Sequence, residues 1–141
     1  MRTASSGSLL LVVLLMVIWL MASNVFAQED AAKAIVGVWE GTSTSGSTTG
    51  QTRLVFSQDG DKLKWKWSWT ASFGNGEAEG TVTKIALPCL ELNGAYTSHP
   101  NKRVGNSPVT MTLTVQDDQI HGSGLTATVN TPFTLKVTKK K

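Results

Sequence analysis

The sequence has few of the side chains that build disulfides, metal sites or catalytic centres. Its 141 residues include one cysteine, Cys89, and two histidines, His99 and His121. A single cysteine excludes an intramolecular disulfide, and these three residues share no spacing typical of zinc ligands. Nucleophile elbows, phosphate-binding loops and dinucleotide-binding fingerprints are also missing. The sequence therefore predicts a protein that is not an enzyme and that needs neither a metal nor a cofactor.

The chain also lacks a strong excess of charge of one sign. Its formal net charge is +3, from 13 basic and 10 acidic residues. Arg2 is the only charged residue among the first 27, so the rest of the chain has 12 basic residues against the same 10 acidic ones. A positive balance this small does not indicate a nucleic-acid partner.

Residues 1–27 have the pattern of a secretory signal peptide. Arg2 precedes an uncharged apolar run from Leu9 to Ala22, which is shorter than the roughly 20 residues of a comfortable membrane-spanning helix. Val25 and Ala27 supply short side chains at the −3 and −1 positions of a cleavage site. We expect cleavage after Ala27 and a secreted or periplasmic location, with an uncleaved anchor as the alternative. Residues 28–141 then have the size of a single domain.

Residues 28–141 consist of short alternating segments punctuated by small and turn-forming residues. The clearest strand is 62–69, where lysines on one face alternate with a row of large apolar side chains on the other, namely Leu63, Trp65, Trp67 and Trp69. The Ser/Thr-rich stretch 42–50 and the polar stretch 99–108 are predicted loops, and Asn93-Gly94 predicts a hairpin turn. The alternation changes phase near Lys84, as a β-bulge or a twist would cause.

These segments predict an all-β domain. Its strands follow one another through tight turns, and no segment has the periodicity of a helix that could cover a sheet. Closing the sheet pairs every strand edge without help from helices. We therefore expect an antiparallel up-and-down β-barrel of about eight strands, with a two-sheet β-sandwich as the alternative.

Three tryptophans on one face of a strand form too large an apolar patch to stay exposed on a soluble monomer. They must face a core, a ligand or a partner. Single-stranded nucleic acid is an unsuitable partner, because the alternation puts the lysines on the face opposite the indoles. A carbohydrate-binding platform needs only exposed rings, and it fails if the tryptophans are buried.

The segment Gly37-Val38-Trp39 resembles the Gly-x-Trp signature of the calycins, the family of lipocalins and avidin-like barrels. In that family the tryptophan closes one end of the barrel and packs under a basic residue of the last strand, a position that Lys136 matches. The resemblance implies structural roles for Gly37, Trp39 and Lys136, and a lipocalin-like barrel that holds a small, largely apolar molecule. The polar residues that hold biotin in avidins have no counterpart, so biotin is not implied.

Our leading hypothesis is an exported, monomeric β-barrel that encloses a small apolar or amphipathic ligand. Binding would come from apolar burial in a preformed cavity, against Trp65, Trp67, Trp69, Phe56 and Met111. One alternative is a filled barrel that serves as a structural or interaction domain of the cell envelope. Its tail, Lys139–Lys141, would then contact anionic envelope components. The other alternative is a carbohydrate-binding module that uses the tryptophan strand.

Overall fold

The computed structural model describes the backbone of residues 6–141 and the side chains of residues 11–19 and 30–141. Arg2 of the predicted signal peptide lies outside the described residues. A helix, α1, spans Ser6–Ile35. The chain divides into one unit that ends at Ala34 and a second unit, Ile35–Lys141. Within the described residues, no helix combines the length and the apolar character needed to cross a membrane.

The second unit is a closed, all-antiparallel β-barrel in which each strand pairs with the next and the last pairs with the first. This arrangement confirms the predicted all-β, up-and-down barrel over the sandwich. A short 3₁₀ turn, Ala127–Val129, precedes the last strand. The eight strands are β1 (Gly37–Ser45), β2 (Thr48–Asp59), β3 (Lys62–Ala71), β4 (Gly74–Ala86), β5 (Cys89–Ser98), β6 (Pro108–Gln116), β7 (Gln119–Thr126) and β8 (Thr131–Lys139).

Alternating apolar side chains fill the inside of this barrel. On β3, the lysines at 62, 64 and 66 are exposed while Leu63 and the three tryptophans are buried, as predicted. The same period of two places Phe133, Leu135 and Val137 of β8 inside. The pairing of β4 with β5 shifts register between Val82 and Lys84, at the position where the alternation changes phase.

Two predicted turns are wrong. Residues 42–50 do not form a loop, because β1 and β2 continue through them as a paired ladder and turn only at Gly46-Ser47. Asn93-Gly94 is not a hairpin, because both residues lie inside β5 and pair with Thr81 and Gly80 of β4. A Cβ at residue 94 would lie 2.1 Å from the Glu79 carbonyl oxygen and 2.7 Å from the Trp65 ring. Gly94 therefore makes room for the backbone of β4 and for an indole instead of reversing the chain.

The two ends of the barrel differ. We call the end where β1 begins and β8 finishes the packed end; the connections β1–β2, β3–β4, β5–β6 and β7–β8 form the open end. At the packed end, Trp39 is fully buried and its indole N–H donates to the Ile35 carbonyl oxygen at 2.9 Å. Trp39 is therefore part of the buried interior at this end.

The cation over Trp39 is Lys139 and not Lys136. The Lys139 Nζ lies 5.6 Å from the centre of the Trp39 ring, and the two residues are direct partners in the β1–β8 ladder. Lys136 is exposed on the outside of the barrel, where it pairs with Thr42 and His121 of the neighbouring strands. Its predicted role as the partner of Trp39 is therefore corrected.

Candidate ligand-binding site

A cavity of about 250 Å³ occupies the open end of the barrel. Hydroxyl side chains of β1, β2 and β8 line one part of it, including Ser43, Thr48 and Thr131. The rest of its wall is mainly aromatic, with rings from β3, β5, β8 and the β3–β4 turn: Trp67, Trp69, Phe73, Tyr96 and Phe133. Among the described residues that line it, none is an aspartate, glutamate, lysine or arginine.

The aromatic wall is packed before any ligand arrives. Trp67 stacks on Phe133 with ring centres 4.7 Å apart and planes inclined by 17°, and its ring lies 6.1 Å from Tyr96. Trp69 contacts Phe73 of the turn at 5.4 Å. Such separations are typical of favourable aromatic pairs. These pairs join β3, β5 and β8, which are not neighbours in the barrel, so they hold the cavity in shape.

Glycines on neighbouring strands make room for these rings. A Cβ at Gly76 of β4 would lie 2.4 Å from ring carbons of Trp69. A Cβ at Gly124 of β7 would lie 2.3 Å from the Phe133 ring. Neither distance is compatible with a side chain, so each glycine leaves room for an aromatic ring close to the barrel wall.

The indole N–H groups of β3 differ in their hydrogen bonding. Trp65 donates to the Thr81 carbonyl oxygen at 3.0 Å, and Trp67 donates to the Thr52 hydroxyl. The Trp69 Nε1 is buried and has no hydrogen-bond partner among the described residues. A buried donor left unpaired costs about 1–3 kcal/mol. This edge of the Trp69 ring faces β4, where a Cβ at Gly76 would lie 2.6 Å from the Nε1.

The His99 ring lies between two aromatic rings of the cavity wall. The His99 ring contacts Trp69 at 5.3 Å and Tyr96 at 4.9 Å, edge-on in both cases. Its Nδ1 accepts a hydrogen bond from the Asn101 backbone N–H at 2.9 Å, so the proton of the neutral ring resides on Nε2. Burial lowers the pKa of His99. The imidazole is therefore neutral at pH 7 and adds no charge to the cavity.

Tyr96 is held inside the barrel by burial and by one weak hydrogen bond. Burial raises the pKa of its hydroxyl, while Thr126 and the Trp69 indole act in the opposite direction. The Thr126 hydroxyl donates to the Tyr96 oxygen at 3.5 Å. The Trp69 N–H does not meet this oxygen in normal hydrogen-bond geometry. The phenol therefore stays protonated, with its own hydrogen available to a ligand.

The structure divides the five predicted ligand contacts into two groups. Trp67 and Trp69 line the cavity. Trp65, Phe56 and Met111 are buried, with exposed fractions of 1–2%, but they are not among the residues that line it. The three tryptophans of β3 are at most 7% exposed, so they do not form an open platform for a carbohydrate.

The sequence reasoning missed Tyr96, Phe133 and His99 as parts of the site. Tyr96 and Phe133 each lie on the inward face of an alternating strand. That alternation could have identified them as residues of the barrel interior. His99 begins the loop that was correctly predicted before Pro108. Cys89 begins β5 at the packed end and His121 is exposed on β7, so neither approaches His99. No metal-binding group of three such side chains occurs in the described part of the chain.

The barrel is compatible with the calycin architecture that the Gly37-x-Trp39 resemblance predicted, since it has eight antiparallel strands in up-and-down order and a tryptophan at its packed end. The cavity lies at the opposite end. Comparisons of the chain with protein-family models, with curated proteins and with solved structures find no match.

Proposed function

We propose that this protein binds a small, largely apolar molecule in the cavity at the open end of the barrel. The observation that carries the proposal is the preformed aromatic wall of Trp67, Trp69, Tyr96 and Phe133 around about 250 Å³ of space. Cavities that are mostly apolar, with a few polar groups to orient the ligand, are the common form of small-molecule sites. Burial of the ligand's apolar surface supplies the binding free energy.

The packed half of the barrel limits the size of the ligand. Trp65, Phe56 and Met111 fill the space below the cavity, so a molecule that enters from the open end cannot pass deeper. The volume lies just below the range of drug-sized sites and fits roughly two fused rings. A long acyl chain would leave most of its length outside the barrel.

Two further parts of the proposal come from the sequence. The signal-peptide pattern of residues 1–27 supports export, and the Gly37-x-Trp39 segment supports a relationship with the calycins. The alternative function, a scaffold domain whose Lys139–Lys141 tail contacts the cell envelope, is supported less well. Lys139 lies over Trp39 and Lys140 contacts Glu40 at 3.4 Å. Two of the three lysines therefore already contact residues of the barrel.

A fluorescence titration tests this function, because two tryptophans line the cavity. Indane, 1-indanone and naphthalene are expected to quench or shift the emission of the full-length protein. Dissociation constants should be on the order of 10–100 μM for ligands of about ten heavy atoms. Palmitate, which is too long for the cavity, is expected to bind more weakly than any of the three.

Adjacent positions on β1 provide a matched pair of variants. Ser43 lines the cavity, whereas Thr42 is exposed on the outside of the barrel. Ser43→Phe should fill the cavity and weaken binding of the bicyclic probes at least tenfold, while Thr42→Phe should leave binding unchanged. The proposal is wrong if no bicyclic probe changes the fluorescence, or if the Ser43→Phe variant binds the probes as well as wild type.

A further inference from the structure

We infer that the open end of the barrel docks on a lipid bilayer that carries anionic headgroups, so that the mouth of the cavity faces the membrane. This interaction surface goes beyond the proposed function, since ligand binding does not require it. Its basis is a combination of cations and exposed apolar side chains on the connections that surround the mouth.

The connections at the open end contain cations without carboxylates. The four connections are residues 46–47, 72–73, 99–107 and 127–130. They include Lys102 and Arg103 but no aspartate or glutamate. Among the strands, the carboxylate closest in sequence to one of these connections is Glu77 of β4. An anionic surface would therefore meet positive charge at this end with little opposing negative charge.

The packed end has the opposite pattern. Its connections are residues 60–61, 87–88 and 117–118. They include three aspartates and no cation. The Lys139–Lys141 tail lies beside two of these aspartates, since the Lys139 N–H donates to the Asp118 carbonyl oxygen at 2.8 Å. The positive charge of the tail is therefore offset at this end, and the open end is the better match for an anionic surface.

An ordered loop presents the two cations of the open end. Val104 is buried, and its backbone N–H donates to the Asn101 carbonyl oxygen at 3.0 Å. Lys102 and Arg103 lie between these two residues with exposed side chains. Neither cation forms an ion pair within the described part of the chain. Both are therefore available to headgroup phosphates.

Exposed apolar side chains surround the same mouth. Phe73 of the β3–β4 turn is 57% exposed, Val129 of the 3₁₀ turn is 38% exposed, and both line the cavity. The third large apolar side chain exposed on the barrel is Leu87, at the packed end. Exposed apolar side chains beside cations are typical of membrane-binding surfaces. A protein partner fits less well, because a stable interface needs roughly 1,000 Å² of well-packed surface, whereas these side chains surround a hollow.

A fluorescent label at each end measures which end docks. In full-length protein with Cys89→Ser, a polarity-sensitive nitrobenzoxadiazole label is attached through Ser47→Cys at the open end or Gln119→Cys at the packed end. Both positions are exposed. Vesicles of equal parts phosphatidylcholine and phosphatidylglycerol should brighten the label at residue 47 and shift its emission to the blue. Phosphatidylcholine alone should do so much less, and the label at residue 119 should change little. Both proteins carry the same N-terminal segment, so any membrane contact of that segment is common to the two.

Removal of the two loop cations tests the role of charge. Lys102→Gln combined with Arg103→Gln should lower the docking constant roughly 25-fold, since each cation near anionic lipid contributes about fivefold. Lys62→Gln combined with Lys66→Gln removes the same charge from the outer face of β3 and should have a much smaller effect. Neither Lys102 nor Arg103 lines the cavity, so 1-indanone should bind the first variant as it binds wild type.

Three results would overturn the membrane surface: equal responses of the two labels, equal responses to the neutral and the anionic vesicles, or equal effects of the two double substitutions. A response to dissolved polyglutamate as large as that to vesicles would also overturn it, and would assign the open end to acidic chains instead. The titration with 1-indanone decides the proposed function separately in every case.

Discussion

Two large aromatic rings inside this barrel each pack against a glycine of a neighbouring strand. Gly76 lies against Trp69, and Gly124 lies against Phe133. Such pairs pack bulky rings inside a narrow barrel without pushing the strands apart. The rings could be predicted from the alternation of β3 and β8, but the glycines could not be assigned to them. Each contact depends on which residues face each other across two strands.

Replacing one of these glycines should displace the ring that it accommodates. Gly76→Ala would put a methyl group 2.4 Å from the Trp69 ring, and overpacking of this kind costs about 1–3 kcal/mol. Urea denaturation should show this loss, together with weaker binding of 1-indanone. Gly105→Ala is the control, because its new Cβ would make only an ordinary contact at 3.5 Å. Equal stability of the two variants would contradict the packing role of Gly76.

His99 should make the stability of the protein depend on pH in the acid range. Burial lowers its pKa in the folded state, so between its folded and unfolded pKa values the unfolded chain binds more protons. Stability should therefore fall as the pH drops below about 6.5, the unfolded value, and this contribution should level off below the folded pKa. Urea denaturation from pH 7.5 to 5 should show a shallower fall for His99→Gln. Identical profiles for the two proteins would count against this role.

At the scale of elements, the first and last strands are held together at the packed end by Trp39 and Lys139. The resemblance to calycins implied Lys136 as the cation over Trp39, but Lys139 occupies that place. Leu135 and Val137 point inward, so Lys136 between them must point outward. Lys139 reaches the ring because the β1–β8 register places it opposite Trp39. A register between the two ends of a chain cannot be obtained from the pattern of either strand alone.

The two lysines provide a direct comparison. Lys139→Met keeps the length of the side chain and removes its charge, so it should lower the free energy of unfolding by about 0.5–1 kcal/mol through loss of the cation–π contact. Lys136→Met should change stability by less than that, because its ammonium group lies outside the barrel. Chemical denaturation of both variants measures the difference. A larger loss for Lys136→Met would restore the original assignment.

Turn-forming residues at 42–50 and at Asn93-Gly94 predicted breaks between strands where the strands in fact continue. The stretch 42–50 has the composition of a flexible loop, yet both strands continue through it because their backbone groups complete the ladder that closes the barrel. The turn requires only Gly46, whose φ of +60° suits glycine. Asn93-Gly94 has a hairpin sequence, but Gly94 is needed where the Glu79 backbone and the Trp65 ring leave no space for a side chain. In both cases tertiary packing outweighs local preference.

At the scale of the whole molecule, the barrel is packed at one end and hollow at the other. The all-β class, the up-and-down order and the buried tryptophan face followed from the sequence, because period-two alternation is a local property. The cavity did not follow, because Trp67, Tyr96 and Phe133 come from three strands that meet only across the barrel interior. A filled or a hollow barrel was consistent with the same pattern.

The most direct test of this account is a crystal structure of the full-length protein soaked with 5-bromo-1-indanone, in which the anomalous signal of bromine locates the probe. The account predicts a bromine peak inside the open end of the barrel, with the ring of the probe against Trp67 and Phe133. An open end without a bromine peak at saturating probe, or a probe bound only on the outer face of the barrel, would contradict it.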